Sequence, residues 1–173
     1  MNRGFGRALR AFSVLPLVAG IGLFASSTLA EGVSREAAAF RGLAGGWSGS
    51  GTVRMASGAV ERIRCRATYA VANAAESLDQ NLMCASDSYR FEIKSAIKRQ
   101  NKDLVGVWSE PNRNVTGNLT GSINGGSIDM QVDAGIFSAL LTLVQTGARQ
   151  SLTIKPNGTD ISEVMIAFTR SGT

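Results

Sequence analysis

The chain has 173 residues with 18 Lys+Arg against 13 Asp+Glu and no histidine. The missing histidine excludes Ser-His-Asp and Cys-His catalysis, His-rich metal sites and histidine-ligated haem. The net charge of +5 overstates the basicity of the folded part, because three of the arginines sit in the first ten residues.

Those first residues read as an export signal. Met1–Arg10 carries Arg3, Arg7 and Arg10 and no acid, Ala11–Ala25 is almost continuously apolar, and Ser26–Ala30 is small and polar. A basic stretch, a short apolar stretch and a small-residue cleavage site make a secretory signal peptide; an uncleaved anchor is the alternative. Gly and Pro break the apolar run, which is short for a membrane span. Cleavage after Ala30 would remove residues 1–30 and leave 31–173 as a single domain of 143 residues with 15 basic against 13 acidic side chains. At +2 a nucleic-acid role has little support in composition. The expected compartment is periplasmic or extracellular, with no transmembrane span after cleavage.

Ser34–Leu43 reads as a short helix, capped by Ser34 and ended by Gly45-Gly46. Alternation then takes over. Trp47–Met55 is a strand. Val60–Cys84 folds as a hairpin about Asn73-Ala74-Ala75-Glu76, with Cys65 opposite Cys84, Ala67 opposite Leu82, Tyr69 opposite Gln80 and Val71 opposite Leu78. That register puts Cys65, Tyr69, Val71, Leu78, Leu82 and Cys84 on one face and Arg62, Arg64 and Arg66 on the other. Two cysteines facing each other in an exported chain predict one disulfide, two free buried thiols being the alternative.

Tyr89–Ile97 alternates cleanly and Leu104–Glu110 follows the turn at Gln100–Asp103. Asn114–Asn124 has an inward row Val115, Gly117, Leu119, Gly121 and Ile123, in which the glycines mark close backbone approach, tight coiling or room left for a bulky neighbour. Ser127–Asp133 comes next. Ile136–Thr146 is bracketed by glycines and reads as a strand, a short helix being the alternative. Gln150–Lys155, a turn at Pro156-Asn157-Gly158, and Ile161–Arg170 complete the set. Nine or ten strands with short turns predict an all-β antiparallel barrel or sandwich.

Few residues carry chemistry. Asp129 and Asp133 share a strand face but lie about 13 Å apart along it, too far for a carboxylate dyad. Asn114, Asn118 and Asn157 begin Asn-x-Thr triplets, ordinary in turns and strands. No catalytic residue, metal or cofactor is expected, and the chain reads as no enzyme. Trp47, Tyr69, Phe91, Trp108 and Phe137 are candidates to line an apolar ligand cavity, and the small inward residues Ala67, Gly117 and Gly121 favour one. Arg62, Arg64 and Arg66 are candidates for contact with an anion or an envelope partner; a solubilising outer face is the plainer reading.

Gly45-x-Trp47 at the opening of the first strand, and Arg170 at the end of the last, resemble the calycin barrels, the lipocalin and avidin superfamily. There a G-x-W motif opens the barrel and an arginine near its end packs over the tryptophan. The resemblance implies an up-and-down barrel of about 8–10 strands, closed by Trp47 and Arg170, with an apolar ligand site at one mouth. A T-D-Y-like second motif and a C-terminal helix are missing. More broadly, the chain resembles small exported proteins of Gram-negative bacteria. The functional expectation is binding of a small apolar or amphipathic ligand such as a lipid. The alternative is an envelope structural or interaction protein, an inhibitor among them, acting through loops or its arginine face.

Overall fold

The computed structural model describes residue 40 and residues 42–172. Ten strands follow one another: β1 (Gly45–Met55), β2 (Val60–Ala72), β3 (Ser77–Ala85), β4 (Arg90–Gln100), β5 (Asp103–Glu110), β6 (Val115–Asn124), β7 (Ser127–Asp133), β8 (Ser138–Thr146), β9 (Arg149–Asn157) and β10 (Ile161–Arg170). Each is antiparallel to its predecessor, and β10 pairs back onto β1, so the sheet closes into a barrel with no free edge. Phe40, Gly42 and Leu43 have helical backbone; the rest of the expected helix, and the whole signal segment, lie outside the described residues.

Strict alternation dictates the wall. Along β2, Ile63, Cys65, Ala67 and Tyr69 are buried while Arg62, Arg64, Arg66 and Thr68 are exposed, as a two-residue period requires of a sheet with one apolar face. The hairpin register is the one read from the sequence, Cys65 facing Cys84, Tyr69 facing Gln80 and Val71 facing Leu78. Cys65 and Cys84 are disulfide-bonded with their Cα atoms 4.1 Å apart.

Several expectations need correction. Ile136–Thr146 is a strand and not a helix, but it begins at Ser138; Ile136 is 78% exposed in the preceding loop and Phe137 lies there beside it. The expected turn at Pro156 sits later. Pro156 pairs with Ala139 inside the β8–β9 ladder, so the chain reverses after Asn157. Gly117 and Gly121 do not chiefly leave room inside the barrel. A Cβ added at either would fall against a carbonyl oxygen of β7, that of Asp133 or Asp129. Both glycines therefore permit tight coiling of β6 against its neighbour, a reason that holds equally for Gly49 and Gly51 against β10 and for Gly106 against β4.

Candidate functional site: a barrel sealed at one end and open at the other

The inner wall is mostly apolar, with Ser95, Glu110 and Gln150 as buried polar exceptions, but its two ends differ. At the end where β1 begins and β10 finishes, Phe40, Leu43 and Trp47 are fully buried. Trp47 Nε1 donates to the Leu43 carbonyl at 2.7 Å, and the Arg170 guanidinium lies over the indole ring, 4.4 Å from its centroid. Arg170 also donates to the carbonyls of Gly42 and Ala44, and Gln145 Nε2 donates to the Gly42 carbonyl at 2.7 Å. The segment 42–44 is thus fastened to β1, β8 and β10 at this one end, with its orphan carbonyls satisfied. This end is closed.

At the opposite end the inward side chains Met55, Phe91, Ile93, Val115, Leu141 and Ile154 are only half-buried. They belong to β1, β4, β6, β8 and β9, so the exposure runs around the rim and is not confined to one strand. Phe137, from the β7–β8 loop, leans over this mouth and packs edge-on against Trp108, ring centroids 5.5 Å apart. The Tyr89 hydroxyl reaches Met55 Sδ at 3.8 Å across the same rim. Glu110 anchors the mouth on the β5 side. Its carboxylate accepts from the backbone N–H of Arg113 at 2.6 Å and of Glu92 at 3.1 Å, and from Asn112 Nδ2 at 3.2 Å. Burial works against ionisation of Glu110, yet these donors and the Arg113 guanidinium at 3.4 Å hold its carboxyl below the ordinary value.

The five aromatic candidates do not form one cluster. Trp47 is engaged on its ring face and its N–H at the closed end. Phe91 and Phe137 stand at the mouth. Tyr69 and Trp108 lie between, 3% and 4% exposed. Sequence reasoning missed the polar residues among them. The Cα register runs Tyr69–Gln80–Ser95–Trp108–Gly117 across β2 to β6, an inward row in which Gln80 and Ser95 had no motif to mark them. Extending the Tyr69–Gln80 pairing by alternation into the next strand was the signal that could have found them. Burial pushes the Tyr69 hydroxyl well above its usual range, so it stays protonated. Trp108 Nε1 and both amide atoms of Gln150, the latter on β9, are buried without hydrogen-bond partners among the described residues.

On the outside, Arg62, Arg64 and Arg66 alternate along β2 and are all exposed. Arg64 and Arg66, with Arg90 of β4, border a shallow surface depression of about 910 Å³ that also takes in Ser48, Ser50 and Met83. A second outer depression of about 860 Å³ crosses β2 to β7 over Thr68, Ala70, Ala96 and Val107. Asp129 accepts from Ser127 and Thr142, and Asp133 from the Gly135 N–H, so these carboxylates tie down local structure. Among the described residues no group of three His, Cys, Asp or Glu could hold a metal ion.

No family model matches this chain, and no curated protein matches it in sequence. Solved structures do. It is similar to Rv2717c from M. tuberculosis, 12% identical with a TM-score of 0.63, over 79% of this chain and 98% of the other. It is also similar to the S-type phycobiliprotein lyase CPES from Guillardia theta, 8% identical with a TM-score of 0.60, over 81% and 97%. The chain has a calycin-like barrel fold. At these identities the likeness speaks for the fold alone. It nonetheless corrects one expectation. The chain cannot be set down as no enzyme, because a protein named a lyase is built on this barrel. The missing histidine rules out particular chemistries and not catalysis as such. The disulfide is consistent with export, and among the described residues no helix is long and apolar enough to cross a membrane.

Proposed function

We propose that this protein is an exported barrel that takes a small apolar or amphipathic molecule, such as a lipid, through its open mouth. The observation that carries this reading is a contrast between the two ends. One is capped by the fully buried Phe40, Leu43 and Trp47, and of its apolar side chains only Val71 and Ile123 are partly exposed; the other is a rim of inward apolar side chains left half-buried on five strands. A solvent-facing apolar ring at the entrance of a barrel is unfavourable unless something covers it, and each side chain withdrawn from water there is worth about 1 kcal/mol or more. Ten strands also enclose more space than eight, the number that suffices for one small ligand. Tyr69, Phe91, Trp108 and Phe137 then form the lining, and Trp47 with Arg170 the floor. Native mass spectrometry of protein from its producing cell, with uptake of a hydrophobic fluorophore by delipidated protein, tests this. A co-purified small molecule or saturable uptake is expected; neither would sink the reading.

A second reading rests on the outer face. Arg62, Arg64 and Arg66 stand about 7 Å apart in sequence along one strand, exposed and without a carboxylate partner among the described residues. They suit an anionic envelope component. Joint replacement of the three by alanine should abolish capture of anionic vesicles while fluorophore uptake persists; unchanged capture would remove this reading.

A further inference from the structure

Resting on the reading of the barrel as a ligand site, we infer that the inner row Tyr69–Gln80–Ser95–Trp108 selects a ligand carrying an uncharged hydrogen-bond acceptor, such as an ester, ketone or amide carbonyl, over one carrying a carboxylate or an amine. Neighbours in this row are Cα partners on adjacent strands, which sets their side chains about 5 Å apart on the same face. Because barrel strands are staggered, the row climbs from near the closed end, at Tyr69, towards the mouth, at Trp108. It ends at Gly117, where an added Cβ would come within 2.6 Å of Trp108 Nε1, so no side chain of β6 stands against that N–H.

Apolar rows frame it on both sides. Ala67, Leu82 and Ile93 form one; Val71, Leu78 and Ile97 form the other. A polar stripe between two apolar rows is costly unless its groups are partnered, since a buried unpaired donor forfeits its hydration. Trp108 Nε1 is unpartnered among the described residues in a side chain 4% exposed, and it can only donate. Tyr69 and Ser95, both buried, bring hydroxyls, and Gln80 brings an amide able to donate and accept. The row is therefore rich in donors and devoid of formal charge.

The charged groups that share the inner face are already committed. Glu110 is held by Arg113, Glu92 and Asn112, Glu61 accepts from the Ser88 N–H at the rim, and Arg170 is stacked on Trp47. Arg99, towards the closed end, is engaged as well. A carboxylate or ammonium placed against the row would lose its hydration with no counter-charge to meet it. A carbonyl oxygen meets donors without that penalty.

Three fluorescent probes separate the possibilities: diphenylhexatriene, which has no acceptor, cis-parinaric acid methyl ester, and cis-parinaric acid ionised at pH 8. The ester should bind about tenfold or more tightly than the anion. Trp108→Phe and Tyr69→Phe should each weaken the ester about three- to tenfold more than they weaken diphenylhexatriene, the difference being the worth of one hydrogen bond. Ser95→Ala serves as the third variant should either aromatic replacement lower the melting temperature. Binding of diphenylhexatriene with the anion as tight as the ester, or with the ester indifferent to all three variants, overturns the inference alone. Failure of all three probes to bind overturns the ligand site itself and the inference with it.

Discussion

The two ends of this barrel are made of the same strands and similar side chains, yet one is finished and the other is not. At the closed end Trp47 is held by a hydrogen bond, a guanidinium and the fully buried Phe40 and Leu43. At the mouth Phe91, of comparable size and equally inward by register, remains half-exposed. Closure requires a segment laid across the rim whose own backbone is satisfied. Residues 42–44 supply that at one end only. The other end leaves inward apolar side chains half-buried among the described residues.

The largest effect expected from this contrast is on stability. Trp47→Ala should cost about 3–5 kcal/mol, whereas Phe91→Ala should cost about 1 kcal/mol, both measured by urea unfolding. Equal losses would erase the distinction between the ends. Replacing Cys65 and Cys84 together by alanine should cost about 2–4 kcal/mol, since the bridge closes a loop with a sequence separation of 19. Fluorophore uptake at temperatures where the variant stays folded should survive, because the disulfide shapes the wall and not the rim.

A pH effect should be confined to the mouth. The carboxyl of Glu110 is held below its ordinary value in the folded state, so the stability it contributes is present in full above the unfolded value and is lost as pH falls through the lower, folded one. Glu110→Gln should therefore destabilise at pH 7 by about 1–2 kcal/mol, with the gap to wild type closing below about pH 4. A gap constant with pH would mean that the carboxylate's charge is not what matters. The smallest effect belongs to the closed end. Asn73, Ala74 and Ala75 all have positive φ, with Ala74 at 54° and exposed. Ala74→Gly should stabilise by up to about 1 kcal/mol, relief of left-handed strain slightly exceeding the added chain entropy.

That turn also marks the limit of what could be read beforehand. The position of the β2–β3 reversal and every pairing from Cys65 to Val71 were legible, because alternation fixes faces and two cysteines pin the register. The alanines at positive φ were not, since nothing local recommends alanine there and the strand pairing on either side imposes it. Pro156-Asn157-Gly158 reads as a turn in sequence; in the ladder Pro156 pairs with Ala139, a position the pairing tolerates. Close backbone approach is one of the readings that the β6 glycines allow in sequence, but what decides for it is non-local, the β7 carbonyls of Asp133 and Asp129. The difference between the two ends was hidden for the same cause. Which side chains share a rim depends on the stagger of ten strands and on where segment 42–44 returns, and neither is written in any one stretch.

The most direct test uses the chain's two tryptophans, Trp47 at the closed end of the barrel and Trp108 nearer the mouth. Trp47→Phe leaves Trp108 as the reporter near the mouth, and Trp108→Phe leaves Trp47 at the floor. Titration with 1-bromododecane, an apolar molecule whose bromine quenches indole fluorescence at close range, should saturably quench the first variant and leave the second close to its starting intensity. Quenching of Trp47 alone, or of neither tryptophan, would contradict an apolar site entered from the open mouth.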